Sequence, residues 1–456
     1  MSGAFERLSH VLPEEAAVDE RGQLTVGGVP VVELARRYGT PLHVIDETGL
    51  RRQMRRYVDG LAARWPNSEV LFASKSLPIL AMYAVAAAEG MSIDVAGLGE
   101  LIMAIEAGVP GTRIYQHGNA KTDEEIGRAI EYGVGTIIVD GRDDLNRIAA
   151  ALPAGRRQGV LLRVIPNIDA ETHESQATGG DTSKFGVTLE QAAALAAELQ
   201  DDDKIRLDGL HVHIGSQIVQ TAPFAEAVRR VSAVGEFPVY DIGGGLGVNY
   251  VETDSAPSVD AYLDEVVAAA RAVLPARAKL LIEPGRSIVA RAGMTVYTVT
   301  TVKTTGRTFV AVDGGLADHL DTALTGQRYS PIVANRASAG PDSTVQLVGR
   351  QCESGDLLVD RAELNAPAVG DTVALAATGA YSYTLTNNYN GARKPAVVFV
   401  AGGRDRLAVR RESFTEFLAL HDVAKQHDWS SPITGSAQLA GGPDLPERSQ
   451  SSVTPA

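Results

Sequence analysis

The sequence of 456 residues contains one cysteine, Cys352. No intrachain disulfide can form, which excludes the cross-linked scaffolds of small secreted domains. Long hydrophobic runs are also missing. The longest, residues 77–88, covers about 12 positions, includes Pro78, and falls short of the ~20 that span a bilayer. Residues 1–14 are polar and lack the apolar centre of a secretory leader, so no signal peptide is expected and the cytoplasm is the expected compartment. Basic charge is in deficit: 42 Lys plus Arg face 56 Asp plus Glu, a formal net charge of −14. That balance argues against general binding to nucleic acid or to an anionic membrane, while leaving room for a local basic pocket around a small anion. Apolar material is not scarce. Hydrophobic residues make up 45% of the chain, enough for a sizeable core and too many for wholesale disorder. The length leaves room for two or three domains.

From Glu69 onward, short apolar runs alternate with longer stretches of helical pattern. The runs are 70–73, 92–95, 113–115, 136–139, 160–165, 207–213, 239–242 and 280–283. Good helix formers fill most of the intervals, as in 78–89, 99–107, 123–132, 190–199, 224–234 and 259–273. Strands that are apolar on both faces and alternate with helices make a parallel α/β sheet. Eight such repeats over roughly 215 residues predict a closed (β/α)8 TIM-type barrel rather than an open sheet. After Glu283 the texture changes. Strand-like segments at 296–302, 308–312, 343–348, 372–375 and 396–400 are separated by Gly- and Asp-rich turns, with no long helix before 413–422. The expected organisation is an N-terminal segment, 1–38, joining a β-domain; the barrel, 39–285; a C-terminal all-β domain, 286–425; and a Ser-, Pro- and Gly-rich tail, 430–456, read as disordered.

In such a barrel the chemistry sits where the strands end. After the first run comes Ser74-Lys75-Ser76. A lysine held in the barrel mouth would have its amine pKa lowered by desolvation, which suits imine chemistry; the plainer reading is a solvated loop lysine. After the sixth run, His211 and His213 share one face of the strand. They could ligate a metal, although no Asp, Glu or Cys clusters with them in sequence. Alternatively one is a satisfied core histidine, or one stacks on a flat cofactor. After the seventh run, Gly243-Gly244-Gly245 lets backbone N–H groups cradle a phosphate, or is merely a tight turn. Barrels frequently bind phosphate at this place. After the eighth run, Glu283-Pro284-Gly285-Arg286 offers a carboxylate for a protonated ring nitrogen and a guanidinium for an anion, or a structural ion pair. Together these four features are the part list for pyridoxal phosphate.

With these residues in place the sequence resembles the fold-type III pyridoxal-phosphate decarboxylases of the alanine racemase and ornithine decarboxylase architecture, most closely the diaminopimelate decarboxylases. The resemblance spans roughly residues 24–422. It rests on Phe72-Ala73-Ser74-Lys75, Ser92-Ile93-Asp94-Val95 with Gly99-Glu100-Leu101, His117-Gly118-Asn119-Ala120-Lys121 and Ser183-Lys184-Phe185-Gly186. It continues through His211–Gln217, Gly243–Gly245, Glu283–Arg286, Cys352-Glu353-Ser354-Gly355-Asp356 and Gly379-Ala380-Tyr381. By that resemblance Lys75 would carry the Schiff base, His213 would stack on the cofactor and Glu283 would pair with its ring nitrogen. Ser216, Gly243, Gly244, Gly245 and Tyr381 would hold the phosphate, and Asp94 and Gly285 join the cofactor-binding positions. Arg286 and Tyr381 would also reach the substrate. The family works as a head-to-tail homodimer with two shared sites. Cys352, as a proton donor to the carbanion, and Glu353, toward the substrate's far end, would come from the partner subunit. No metal is implied. The implied reaction is α-decarboxylation of an amino acid, by default meso-diaminopimelate to L-lysine in lysine biosynthesis.

One departure bears on the substrate. The diaminopimelate enzymes carry Arg-Pro-Ala-Leu-Tyr after an Asp-Gly-Gly turn, and the Arg and Tyr hold the distal carboxylate. Here Asp313-Gly314-Gly315 leads instead to Asp321-Thr322-Ala323-Leu324-Thr325. Asp321 takes the place of the arginine and Thr325 that of the tyrosine. Losing a charge-assisted bond of ~1.5–3 kcal/mol and adding a repulsive charge disfavours a distal carboxylate. The expected substrate is a basic diamino acid or a conjugated, carrier-bound amino acid of specialised metabolism, unless Arg328 substitutes for the missing cation. Two other classes compete. A racemase on the same barrel needs a second acid/base, usually a tyrosine, where this chain has the Cys352 motif. Non-catalytic pyridoxal-phosphate proteins of this fold normally lack a β-domain.

Overall fold

Eight parallel strands close on themselves in the computed structural model, which describes residues 3–168 and 183–421. They are β1 (Ser68–Ala73), β2 (Ser92–Val95), β3 (Ile114–Gln116), β4 (Thr136–Val139), β5 (Gln158–Val164), β6 (Ile205–Val212), β7 (Val239–Asp241) and β8 (Lys279–Ile282). Each pairs with its sequence neighbour, and β8 pairs with β1 to seal the ring. The predicted barrel is therefore present, every strand within about two residues of its expected place. Helix limits follow from local chemistry. The helix Asp123–Tyr132 starts where Thr122 and Glu125 cap each other and stops at Gly133, which adopts φ +79°.

Alternation sorts each strand into two environments. Outward residues such as Phe72, Ile93 and Ile137 are fully buried beneath the helices, each contributing ~1.5–3 kcal/mol or less by removal from water. Inward residues Leu71, Tyr115, Ile138, Leu161 and Leu281 form a separate apolar plug inside the barrel. Two positions further along the same faces come Ala73, His117, Asp140, Arg163 and Glu283. The floor of the barrel mouth is thus polar for the same geometric reason that the layer beneath it is apolar.

The second sheet has nine strands. Its main path runs Leu357–Leu364, Ser343–Val348, Thr308–Val312, Gly293–Thr304, Leu42–Asp46, Ala396–Ala401, Arg404–Val409; Thr372–Ala376 pairs with Gly293–Thr304 and in turn with Pro331–Val333. Leu42–Asp46 corrects the boundary drawn at residue 39. It lies antiparallel to Gly293–Thr304 and parallel to Ala396–Ala401, so the chain enters the barrel only with the helix Glu47–Arg64. All five of its residues are buried, and a strand covered on both faces reads like a barrel strand. Residues 3–38 contribute a small sheet of their own (Ala16–Val18, Leu24–Val26, Val29–Pro30). They join the larger one by packing, with Leu24, Val26 and Leu34 against Val44, Val296 and Val398.

As far as Glu412 the chain is one compact unit. The helix Phe414–Ala419, capped by Ser413 with Glu416, belongs to a second. The expected tail, 430–456, and the last residues of the expected β-domain, 422–425, lie outside the described residues. Among the described residues no helix is long and apolar enough to cross a membrane.

Candidate active site

The lysine expected at the end of the first strand stands at the mouth of the barrel. β1 ends at Ala73 and passes into a single 3-10 turn, Ser74–Ser76. Ser76 Oγ donates to Ala73 O (2.8 Å), and the turn is tied to the sheet region by Tyr381 N–H donating to Ser76 O (2.9 Å) and Thr384 Oγ1 donating to Lys75 O (3.2 Å). Lys75 Nζ lies 3.0 Å from Asp94 Oδ2, the inward residue of β2. Desolvation does push the amine down, as the sequence reading expected. The negative charge of Asp94, with Tyr381 and Glu283, outweighs it, so the amine is held above the ordinary lysine value. The surroundings thus raise the amine's pKa where a lowering was expected.

Glu283 follows β8 and is buried. Its Oε1 is 2.9 Å from His117 Nε2 and its Oε2 is 3.3 Å from His211 Nε2. Burial pushes this carboxyl up, but the two imidazoles outweigh it and hold it well below the usual carboxylate range. Burial in turn drives His211 down to about 4, so its ring is neutral at pH 7. Asp241, the register neighbour of His211, is raised well above the carboxylate range by burial and by the charge of Glu283. The sequence shows no acid beside the histidine pair. The fold supplies one, and His117, His211 and Glu283 place their ligand atoms within 4.8 Å of one another. This is also the donor set of a cation site, but two of the three pairs already lie at hydrogen-bond distance.

His213, two residues past His211, is held differently. Gly244 N–H donates to its Nδ1 (3.2 Å), and burial together with the charges of Lys75 and Arg163 keeps the ring neutral, well below the ordinary histidine value. Gly243 has φ +69°, and a Cβ there would meet Val212 O and His213 Nδ1. The glycines are therefore needed both for the turn and for the approach of backbone to imidazole. The loop, Ser216, Gly285, Arg286 and Tyr381 stand around the same opening as Lys75 and Glu283, a cavity of about 440 Å³. Arg286 donates from Nε to Ser216 Oγ (3.1 Å) and from Nη1 to Tyr250 OH (2.5 Å), and it lies 4.6 Å from the centre of the Tyr381 ring. Burial opposes its charge, but the surrounding tyrosine oxygens and Asp321 hold it charged.

The variant segment reaches the same cavity. Asp321–Thr325 is one helical turn, so Asp321 and Thr325, four residues apart, share a face; both line the opening with Leu324. Asp321 is buried, and Tyr329 OH donates to its Oδ2 (2.5 Å). Thr325 Oγ1 donates to the Asp321 carbonyl (2.8 Å). Arg328 does not replace the missing cation: it is exposed and lines a different cavity behind this turn. Cys352 and Glu353 do not line the opening either. They are exposed on a loop whose base is pinned by Asp356, which accepts from Leu316 N–H and Gln351 N–H, both 2.7 Å. Sequence alone gives His117, Tyr250 and Tyr329 no role: His117 lies in the His117–Lys121 motif, and no motif marks the two tyrosines.

The opening has what pyridoxal phosphate requires: an amine for its aldehyde, a glycine loop with Ser216 for a phosphate, a neutral imidazole beside the slot, and a buried carboxylate at its depth. His117 Nε2 and Glu283 Oε1 are buried and make no aligned hydrogen bond, although they stand 2.9 Å apart, as befits an acid awaiting a ring nitrogen. These residues fit the group, and so does descent. Residues 48–290 match the pyridoxal binding domain of the pyridoxal-dependent decarboxylases, and the chain belongs to that family. It is a pyridoxal-phosphate-dependent carboxy-lyase. Within the family it is similar to the diaminopimelate decarboxylases. That of Actinosynnema pretiosum subsp. auranticum is 41% identical over 415 residues, covering 88% of this chain and 92% of its own. The crystal structure of the diaminopimelate decarboxylase from M. jannaschii in complex with L-lysine superposes with a TM-score of 0.83 at 28% identity, over 90% of this chain and 98% of that one. The lysine/ornithine decarboxylase of Vibrio vulnificus, complexed with putrescine, follows at a TM-score of 0.69 and 25% identity, over 81% and 98%.

Proposed function

We propose that this decarboxylase acts on an amino acid whose far end carries an ammonium group rather than a carboxylate. The observation behind this is Asp321: a buried carboxylate on the cavity wall, where the related enzymes place an arginine. Among the described residues Asp321 makes no direct ion pair, although it accepts from Tyr329 OH and faces the charge of Arg286, with which a ligand's ammonium would compete. Likeness to an enzyme named lysine/ornithine decarboxylase supports the same reading.

Roles follow from position. Bound pyridoxal phosphate supplies the electron sink that lets the bond from Cα to the carboxylate break with loss of CO2. Asp94, its Oδ2 3.0 Å from Lys75 Nζ, would hold in place the amine that is to carry the cofactor. Glu283 would pair with the ring nitrogen, His213 would cover the ring face, and the Gly243–Gly245 loop with Ser216 and Tyr381 would hold the phosphate. Arg286 would steady the phosphate or a carboxylate at the reacting end, and Asp321 with Thr325 would hold the distal ammonium. Cys352 and Glu353, projecting from a pinned loop away from their own cavity, would complete the site of a second copy in a homodimer. There the Cys352 thiol returns a proton to Cα. A thiol in that role needs a reducing setting, and the cytoplasm is the one we assign.

The test is a substrate panel. Purified, cofactor-loaded protein is given meso-diaminopimelate, ornithine and lysine in both configurations, and products are quantified by mass spectrometry. The expected result is a diamine from a basic amino acid at a kcat/KM at least tenfold above that for diaminopimelate. Efficient lysine formation from meso-diaminopimelate would overturn the proposal.

A further inference from the structure

Five of the eight strands send an ionisable side chain to one buried junction. Lys75 follows β1, Asp94 ends β2, His117 follows β3, His211 lies on β6 and Glu283 follows β8. Their order in space is a chain. Lys75 Nζ stands 3.0 Å from Asp94 Oδ2; Asp94 Oδ1 stands 3.6 Å from His117 Nε2; His117 Nε2 stands 2.9 Å from Glu283 Oε1; and Glu283 Oε2 stands 3.3 Å from His211 Nε2. Asp94, His211 and Glu283 are each at most 3% exposed and His117 only 5%, which keeps water from the contacts among them; the Lys75 side chain, 40% exposed, is the open end of the chain. One nitrogen, His117 Nε2, faces two carboxylates, and none of His117 Nε2, Asp94 Oδ1 and Glu283 Oε1 makes an aligned hydrogen bond here. Glu283 is the nearer of the two, so an Nε2–H turned onto it would be within hydrogen-bond distance. The rings of His117 and His211 meet edge to face, centroids 5.1 Å apart, which fixes the plane from which each nitrogen approaches.

We propose that His117 is a positioning residue that decides where the proton sits between Glu283 and the cofactor's ring nitrogen. With its N–H turned onto Oε1, 2.9 Å away, it would lower the proton affinity of Glu283, so that a proton shared between Glu283 and the cofactor resides on the ring and not on the carboxylate. Asp94 holds His117 from the other side and is itself held by Lys75, so the amine and the ring acid are joined through a single imidazole. Arg163 on β5 and the carboxyl of Asp241 on β7 also face Glu283, and Asp241, its pKa raised by burial, shares a side-chain hydrogen bond with it. The inference rests on the assignment of Glu283 to the ring nitrogen and is independent of the distal substrate.

The readout is the nitrogen-15 resonance of pyridoxal phosphate labelled at the ring nitrogen, bound to the intact enzyme and recorded without substrate. The parent protein is expected to show a pyridinium signal. His117→Asn and His117→Ala, whichever folds and retains cofactor, are expected to move it toward unprotonated pyridine by at least half of the shift produced by Glu283→Gln. A merely structural role would lower cofactor occupancy and leave the resonance of the bound fraction in place. A parent-like resonance in the His117 variants overturns the proposal. If neither variant folds, nitrogen-15-labelled histidine in the parent backbone is compared with and without Glu283→Gln. A His117 Nε2 signal that moves supports the donation, and one that does not move overturns it. Should Glu283→Gln leave the cofactor resonance unchanged, the assignment of Glu283 itself fails, and this proposal fails with it.

Discussion

Replacing Asp321 by Asn isolates charge from shape. Asparagine has nearly the same volume and keeps an oxygen to accept from Tyr329 OH, now 2.5 Å from Oδ2. The short helix Asp321–Thr325 and its Thr325 cap to the Asp321 carbonyl are unaffected, so folding is expected to survive. What is lost is the negative charge facing the cavity. At 4 Å and an effective dielectric near 20, two unit charges attract by ~4 kcal/mol. The net value of a hydrogen bond to a charged group is smaller, ~1.5–3 kcal/mol, because both partners must leave water. At ~1.4 kcal/mol per factor of ten, Asp321→Asn should lower kcat/KM for a basic diamino acid by about 10- to 150-fold. The loss should fall mainly on KM, since the ammonium is far from the bond being broken. Turnover of meso-diaminopimelate should hold steady or rise, because a repulsive charge has gone. The assay is steady-state CO2 release with both substrates on parent and variant. A diamino-acid kcat/KM within twofold of the parent, or a parallel loss for both substrates, would refute the reasoning that Asp321 reads distal charge.

Other outcomes follow from the same geometry. Lys75→Ala removes the amine that would bond the cofactor; the protein should still fold, bind pyridoxal phosphate reversibly and show under about one thousandth of parent activity, checked by dialysis and by absorbance. Mixing Lys75→Ala with Cys352→Ala protein, each inactive alone, should restore activity at about a quarter of the sites if the site is shared across a two-fold dimer, and none if each chain is self-sufficient. His43 is buried and its imidazole is driven down to about 3 by burial, with His319 and Arg411 adding to the effect. Its folded value lies below its unfolded one, so its stabilising share is complete above about pH 6.5 and is lost as pH falls toward 3. Denaturant titrations of His43→Gln should show a slope against pH shallower by up to ~1.4 kcal/mol per unit in that window.

The barrel was legible because its signal is periodic and repeated. Each strand is short, apolar and followed by a helix with recognisable ends, and a misjudged boundary in one repeat does not disturb the others. Leu42–Asp46 shows where that reasoning fails. A strand buried on both faces looks the same whether helices or other strands cover it, and only its partners, far along the chain, decide which. The site divides in the same way. Lys75, His213, the glycine loop and Glu283 could be found because each ends a strand, and a barrel brings strand ends together whatever their separation in sequence. The ionisation of Lys75 could not be found, because burial and a neighbouring carboxylate act in opposite directions and the neighbour, Asp94, is on another strand. The same holds for the hold of His117 on Glu283. On the distal wall the difficulty is of another kind. Asp321 departs from the arginine that the resemblance implies, and the structure places it on the cavity wall. Sequence leaves open whether Arg328, only seven positions on, restores the lost charge; in the structure it is exposed and lines another cavity. The cofactor chemistry is therefore written in a repeating scaffold, whereas the wall that bears Asp321 is one unrepeated turn. Arg286 lines the same cavity and faces Asp321, so the proposal that Asp321 reads distal charge turns on whether a ligand's ammonium competes with that guanidinium.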